Sequence, residues 1–247
     1  MGFERFQLGR HEHNPVLVAH APKLKYGLPR PPAFMKILDF TPGMYDNDKL
    51  PDCTAAAITN HARAFSVALS ATDIPVDAAK VPEFYARTIG VTDLSQLAAS
   101  QGAQMLDAIK TQQLGGLDVG EQTSLVADYA TCPNDRLSLA SAMAQFGALY
   151  IGGSLTIQDQ ATGVWHTDIT ARRGSWGRHA FISAGYTGLQ DNDLVHCGTW
   201  GTWQGATWQW LEAALDEAYV LLWRQLIPST MVLAEWQSLV TNAKNLG

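Results

Sequence analysis

The sequence predicts an α+β fold, and three patterns carry that reading. Helical periodicity and alanine-rich stretches dominate the first half of the 247 residues. Runs rich in Val, Ile, Thr and aromatic residues, bounded by glycines, cluster in the second half. No strand–helix–strand unit repeats along the chain, which argues against a doubly wound parallel sheet.

Taken in order, residues 1–45 read as a Pro-rich N-terminal arm. Pro15, Pro22, Pro29, Pro31, Pro32 and Pro42 exclude a long helix there. Within the arm, 16–18 and 34–38 read as short strands, and the whole lies over the core or over a partner. Residues 46–247 read as one domain. Its lead helix runs from 54 to about 71, where Ala55, Ala56, Ala57, Ile58, Ala62, Phe65 and Leu69 give a broad apolar face. Shorter helices are expected over about 82–89, 101–113 and 136–146. The second stops at Gly115-Gly116 and the third at Gly147. Strands are expected over about 126–129, 148–157, 179–186 and 193–200, the last two joined as a hairpin. A final helix is expected over about 209–226, from Leu211, Ala214, Leu215, Ala218 and Leu222.

Composition narrows the function. Hydrophobic residues make up 47% and charged residues 16%, as in a packed globular chain. The net charge of −6 lacks the basic footprint of a nucleic-acid binder. No apolar run approaches a membrane span, and the N-terminus has no apolar signal core after a basic start. Three cysteines, Cys53, Cys132 and Cys197, are too few and of the wrong parity for a disulfide framework. His11 and His13 flank Glu12 without further ligands nearby, so no metal or other cofactor is expected.

Cys53 stands out. It follows a polar, turn-prone run ending Pro51-Asp52 and opens the lead helix, where free N–H groups and the helix dipole favour a thiolate. Far downstream, His179 begins a short apolar strand. A Cys and a His well apart in sequence are what a thiol hydrolase needs. Cys132 reads as a loop residue, Cys197 as a core residue in a strand, and His61, two turns past Cys53, as packed or capped.

Several spaced segments resemble the papain-like cysteine hydrolases. Arg178-His179-Ala180-Phe181-Ile182-Ser183-Ala184-Gly185-Tyr186 is similar to that family's His-Ala strand ending in Gly-Tyr, and Thr199-Trp200-Gly201-Thr202 to its Ser-Trp-Gly-Thr segment. The lead helix with Cys at its start matches as well. A further resemblance is to papain-like proteins of bacteriophages and prophages. It rests on Asn47-Asp48-Lys49-Leu50-Pro51-Asp52-Cys53-Thr54, Thr199-Trp200-Gly201, Thr207-Trp208 and Asp216-Glu217-Ala218-Tyr219. The resemblance implies a papain-like α+β fold in which Cys53 is the nucleophile and His179 its base. Asn47, six residues before the Cys, stands where these enzymes carry the oxyanion-hole Gln. Gly198 stands where they carry the Asn that orients the His; Asp168, Asn192 and Asp193 are candidate substitutes.

Trp200, Trp203, Trp208 and Trp210, with Trp165 and Trp176 upstream, read either as core under the Trp-Gly turn or as interface or ligand-stacking residues. Two functions are expected. One is a hydrolase of a peptide or amide bond, acting on a virion protein or cell-wall peptide. The other is a catalytically silent structural protein of a virion that uses the fold for assembly. Either places the chain in a virion or the host cytoplasm. Its partners are then proteins or peptides, including further copies of itself, and neither nucleic acid nor membrane.

Overall fold

A computed structural model describes residues 6, 8–23, 29–119, 122–161, 163–168, 170–224 and 226. Helices α1 (Pro15–His20), α2 (Cys53–Ser70), α3 (Lys80–Ile89) and α4 (Met105–Gly115) fill its first half, with a 3-10 turn at Leu94–Ala99. The second half holds β1 (Leu117–Val119), β2 (Gln122–Ser124), β3 (Val126–Thr131), α5 (Arg136–Phe146) and β4 (Leu149–Leu155). It continues through a 3-10 turn at Ile157–Gln160 to β5 (Gly177–Tyr186), β6 (Leu194–Thr199), β7 (Thr202–Thr207), α6 (Trp208–Ala214) and β8 (Leu215–Trp223). Six strands form one antiparallel sheet in the order β3-β8-β4-β5-β6-β7, and β1–β2 make a separate hairpin. Helices lead and an antiparallel sheet follows, so the predicted α+β class holds.

Helix α2 is the spine of the core. Thirteen of its eighteen residues are buried, including every alanine of the run Ala55–Ala57. Alanine suits this place because it forms helix well and lets neighbouring elements approach closely. The helix packs against β5 on one side and against α3 and α4 on the other. That contact brings the start of α2 next to the start of β5.

Three expected elements differ. Residues 16–18 are helical, not extended, because Asn14 caps α1 by accepting from the Val16 and Leu17 amides and Pro15 pre-sets the first turn. Residues 34–38 contribute only a bridge between Met35 and Tyr186. The expected final helix ends at Ala214, and 215–223 is a strand. Strand β8 lies between β3 and β4, buried on both faces, and such a strand reads as an unbroken apolar run that helical periodicity also fits. The part of the expected helix at residue 225 lies outside the described residues.

Candidate active site

Cys53 is the first residue of α2, so its backbone N–H has no acceptor within the helix. Its side chain is fully buried, and the sulfur takes hydrogen bonds from the backbones of Ala180 and Gly9. Ala180 follows His179 on β5, which places the thiol and the imidazole at the same junction of helix and strand. No hydrogen bond joins them. Burial pushes the thiol up to about 11, far from the easily ionised cysteine that a helix start alone predicts.

His179 is equally buried. Its Nε2 lies 2.6 Å from Thr199 Oγ1, and its ring stacks on Trp200 with centroids 4.1 Å apart and planes 17° from parallel. Its Nδ1 has no hydrogen-bond partner. Desolvation, with a smaller contribution from the Arg10 guanidinium, lowers the imidazole to about 3. The ring is therefore neutral. If Nε2–H donates to Thr199, Nδ1 presents a free lone pair, the form a general base requires.

The residue that holds the ring is thus Thr199, which the sequence reading passed over. The signal was one position away, in Gly198-Thr199-Trp200. A side chain at Gly198 has no room, since a Cβ there would come within 2.7 Å of Ile182 Cγ1 and 3.0 Å of the Trp203 ring. The other candidates are occupied elsewhere. Asp168 folds back onto Thr170, Asp193 accepts from the Gln190 amide, and Asn192 is exposed. Trp200 sits at φ 46° and Gly201 at φ 76°, between paired Thr199 and Thr202. Two positive-φ residues suit a two-residue hairpin, but a tryptophan in that conformation is strained. Its stack on His179 gives that strain a purpose.

Asn47 is buried close to the start of α2. Its amide donates to Leu50 O and to Asp52 Oδ1, both at 3.1 Å. Both amide hydrogens are spoken for, so reaching an oxyanion would cost one of these bonds. Asp52 is fully buried, and desolvation raises its carboxyl well above the usual range beside Cys53.

The arm covers this junction. Ala103 N–H donates to Gly9 O at 2.8 Å and His11 N–H to Ala103 O at 2.9 Å, while Arg10 N–H reaches Arg178 O at 3.4 Å. Residues 9–11 therefore bridge the helical half at Ala103 and the sheet half at Arg178. Gly9 is pressed so closely on Pro51 that a Cβ would run into its carbonyl. Leu8 lies against Gly177, and the Phe6 ring meets Trp200 at 5.2 Å.

The remaining cysteines and tryptophans are mostly structural. Cys132 and Cys197 are buried, with thiols raised by desolvation. Trp165, Trp200, Trp208 and Trp210 are also buried, and Trp165 packs on Trp210 at 4.6 Å. His61 Nε2–H donates to Ala148 O, and its Nδ1 accepts from Trp223 Nε1–H. Among the described residues no cluster of three or more His, Cys, Asp or Glu could hold a metal, and no helix is long and apolar enough to cross a membrane.

This architecture is that of papain-like cysteine proteases. Xylellain, a cysteine protease from Xylella fastidiosa, superposes with a TM-score of 0.65 at 11% identity, covering 88% of this chain and 96% of the other. The Amb a 11 cysteine protease, a ragweed pollen allergen in its proform, gives 0.64 at 11% identity over 89% and 75%. Digestive procathepsin L 3 from Tenebrio molitor larval midgut gives 0.58 at 10% identity over 89% and 76%. Identities this low establish the fold alone. No protein-family model matches the chain, and no curated protein matches it in sequence.

Proposed function

We propose that the chain is a papain-like cysteine hydrolase of peptide or amide bonds, latent while residues 8–11 lie across its cleft. The observation that carries this is His179. Thr199 and Trp200 fix its ring while Nδ1 is left without a partner, one residue from the strand position that hydrogen-bonds the Cys53 sulfur. Most buried polar atoms are hydrogen-bonded, and His61 in the same core has both nitrogens satisfied.

Once the arm leaves, water and substrate reach the pair and the desolvation that keeps both groups neutral is relieved. The Cys53 thiol gives its proton to His179 Nδ1, and the sulfur attacks the acyl carbon. The oxyanion forms beside the Cys53 N–H. The imidazolium then protonates the departing amine as the C–N bond breaks, leaving a thioester. His179 next takes a proton from water, hydroxide adds to the thioester, and the thiol leaves with that proton. The proforms among the structural neighbours agree with a latent state in which a chain segment accompanies the enzyme fold.

Gly9→Ala tests this without replacing either member of the pair, because the added methyl collides with Pro51 and dislodges the arm, taking with it only the Gly9 backbone bond to the Cys53 sulfur. In the variant, iodoacetamide should label Cys53 at neutral pH much faster than in the wild type, and peptide hydrolysis should appear with it. A dislodged arm with an inert Cys53 overturns the reading. The second reading, a silent structural protein, is favoured by the full burial and neutrality of both groups. It predicts that Cys53 labels after release without any hydrolysis. A virion setting rests on the resemblance carried by Asn47–Thr54, Thr199-Trp200-Gly201, Thr207-Trp208 and Asp216–Tyr219 alone, and finding the chain in purified particles by mass spectrometry tests it.

A further inference from the structure

Arg10 enters a receptor that its surroundings have built for a cation. Its guanidinium is fully buried and pairs with both Asp216 and Glu217, whose carboxylates are 4% and 3% exposed. The Glu217 bond is 2.8 Å, and Gly153 O accepts a further contact. Successive residues of a regular strand face opposite sides of the sheet, so Asp216 and Glu217 should not converge. They do because β4 pairs Gly152 with Glu217 and Gly153 with Leu215, skipping Asp216. That bulge turns the Asp216 carboxylate toward the same guanidinium.

The receptor is organised independently of its tenant. Tyr219 donates its hydroxyl to Glu217 Oε2 at 2.6 Å, Ser154 donates to Asp216 Oδ2 at 2.7 Å, and Arg173 pairs with Asp216 Oδ1. Gly152 makes the channel: a Cβ there would come within 3.0 Å of Arg10 Cδ and of Glu217 Cγ. The charges also count. Two carboxylates face Arg173 and Arg10, so removing Arg10 leaves one buried negative charge uncompensated. An uncompensated buried charge is costly, and another cation of similar reach relieves it without protonating the carboxylate. The planar fork of an arginine suits two converging carboxylates better than any other side chain.

Arg10 belongs to the segment bridging Ala103 and Arg178, beside Cys53. We propose that Asp216 and Glu217 form the specificity pocket of the enzyme, selecting substrates with an arginine side chain, and that Arg10 is an internal competitor for it. This rests on the hydrolase reading of the cleft.

The test uses the full chain carrying Arg10→Ala and two probe peptides, acetyl-Gly-Arg-His-amide and acetyl-Gly-Leu-His-amide. The arginyl peptide should raise the melting temperature and protect Cys53 from iodoacetamide at concentrations about tenfold lower, or more, than the leucyl peptide. Adding Glu217→Gln should erase the difference. Equal action of the two peptides overturns the proposal, as does a preference that survives Glu217→Gln. Should Arg10→Ala fail to fold, Gly9→Ala, which keeps Arg10 but loosens the arm, is measured the same way with the same criteria. Peptide selectivity without any hydrolysis would leave the pocket assigned and remove only the hydrolase; hydrolysis without arginine selectivity would do the reverse.

Discussion

Two histidines lie fully buried in this molecule, and they differ in one atom. His61, on α2, uses both ring nitrogens: Nε2 meets Ala148 O at 3.2 Å and Nδ1 accepts from Trp223 Nε1 at 3.1 Å. His179, on β5, uses Nε2 with Thr199 and leaves Nδ1 unpartnered. Burial lowers both, to about 4 and about 3. Depth and pKa therefore do not separate the two histidines; the hydrogen-bond account does, and on the proposed reading it is the unpartnered Nδ1 that does chemistry.

The sharpest way to break this contrast is to truncate each ring. In the arm-released chain, His179→Ala should lower hydrolysis per folded molecule by about a thousandfold or more, over and above any stability lost to its own cavity. His61→Ala should do the opposite. It strands the Trp223 N–H and opens a cavity, costing about 3 kcal/mol in denaturant unfolding while activity per folded molecule is kept. Comparable activity losses in the two variants would dissolve the distinction.

Acid unfolding sharpens it next. The folded pKa of His61 lies below its unfolded value, so the unfolded chain takes up the proton first as pH falls. Stability from this group is complete above about pH 6.5 and is lost toward its folded value of about 4, at up to ~1.4 kcal/mol per pH unit. Asp52, raised by burial, has the opposite sign: its contribution is present in acid and lost as pH rises. The His61 share is therefore read as the difference between wild type and His61→Gln, which should be the flatter of the two between pH 6.5 and 4.

The smallest effect concerns Thr199. Thr199→Val keeps the shape and removes the hydroxyl, and should cost about tenfold in kcat of the released chain, since a single orienting partner is lost. Thr199→Ser should restore most of it. An unchanged rate in the valine variant would mean that the Trp200 stack alone holds the ring.

Much of the fold was legible because it is written in local pattern. The alanine run after Cys53 could hardly be anything but a buried helix, and the 179–186 run could hardly be anything but a strand. The error at 215–223 has a clear cause: a strand buried on both faces carries no alternation, so Ala218, Tyr219, Val220, Leu221 and Leu222 fit a helical face as well. The strand reading of 16–18 failed because the Asn14 cap and Pro15 outweigh the β-branched residues.

The candidate site divides in the same way. Cys53 and His179 were visible from residue type, position and motif. Thr199 was not, because nothing in a single sequence says that Gly198 is hemmed in by Ile182 and Trp203 and that its neighbour takes over. The Asp216-Glu217 pair was visible only as a motif. Its meaning came from a one-residue bulge that turns two side chains of one strand toward the same guanidinium, and from a guanidinium more than 200 positions away in sequence.

The sequence by itself determined the α+β class, the lead helix with its cysteine, and the histidine strand, because each depends on neighbours a few residues apart. The tertiary structure alone decided that the thiol is neutral, that residues 9–11 bridge Ala103 and Arg178, and which groups hold His179 and Arg10. Those outcomes depend on desolvation and on contacts between segments far apart in the chain, and no local pattern encodes either.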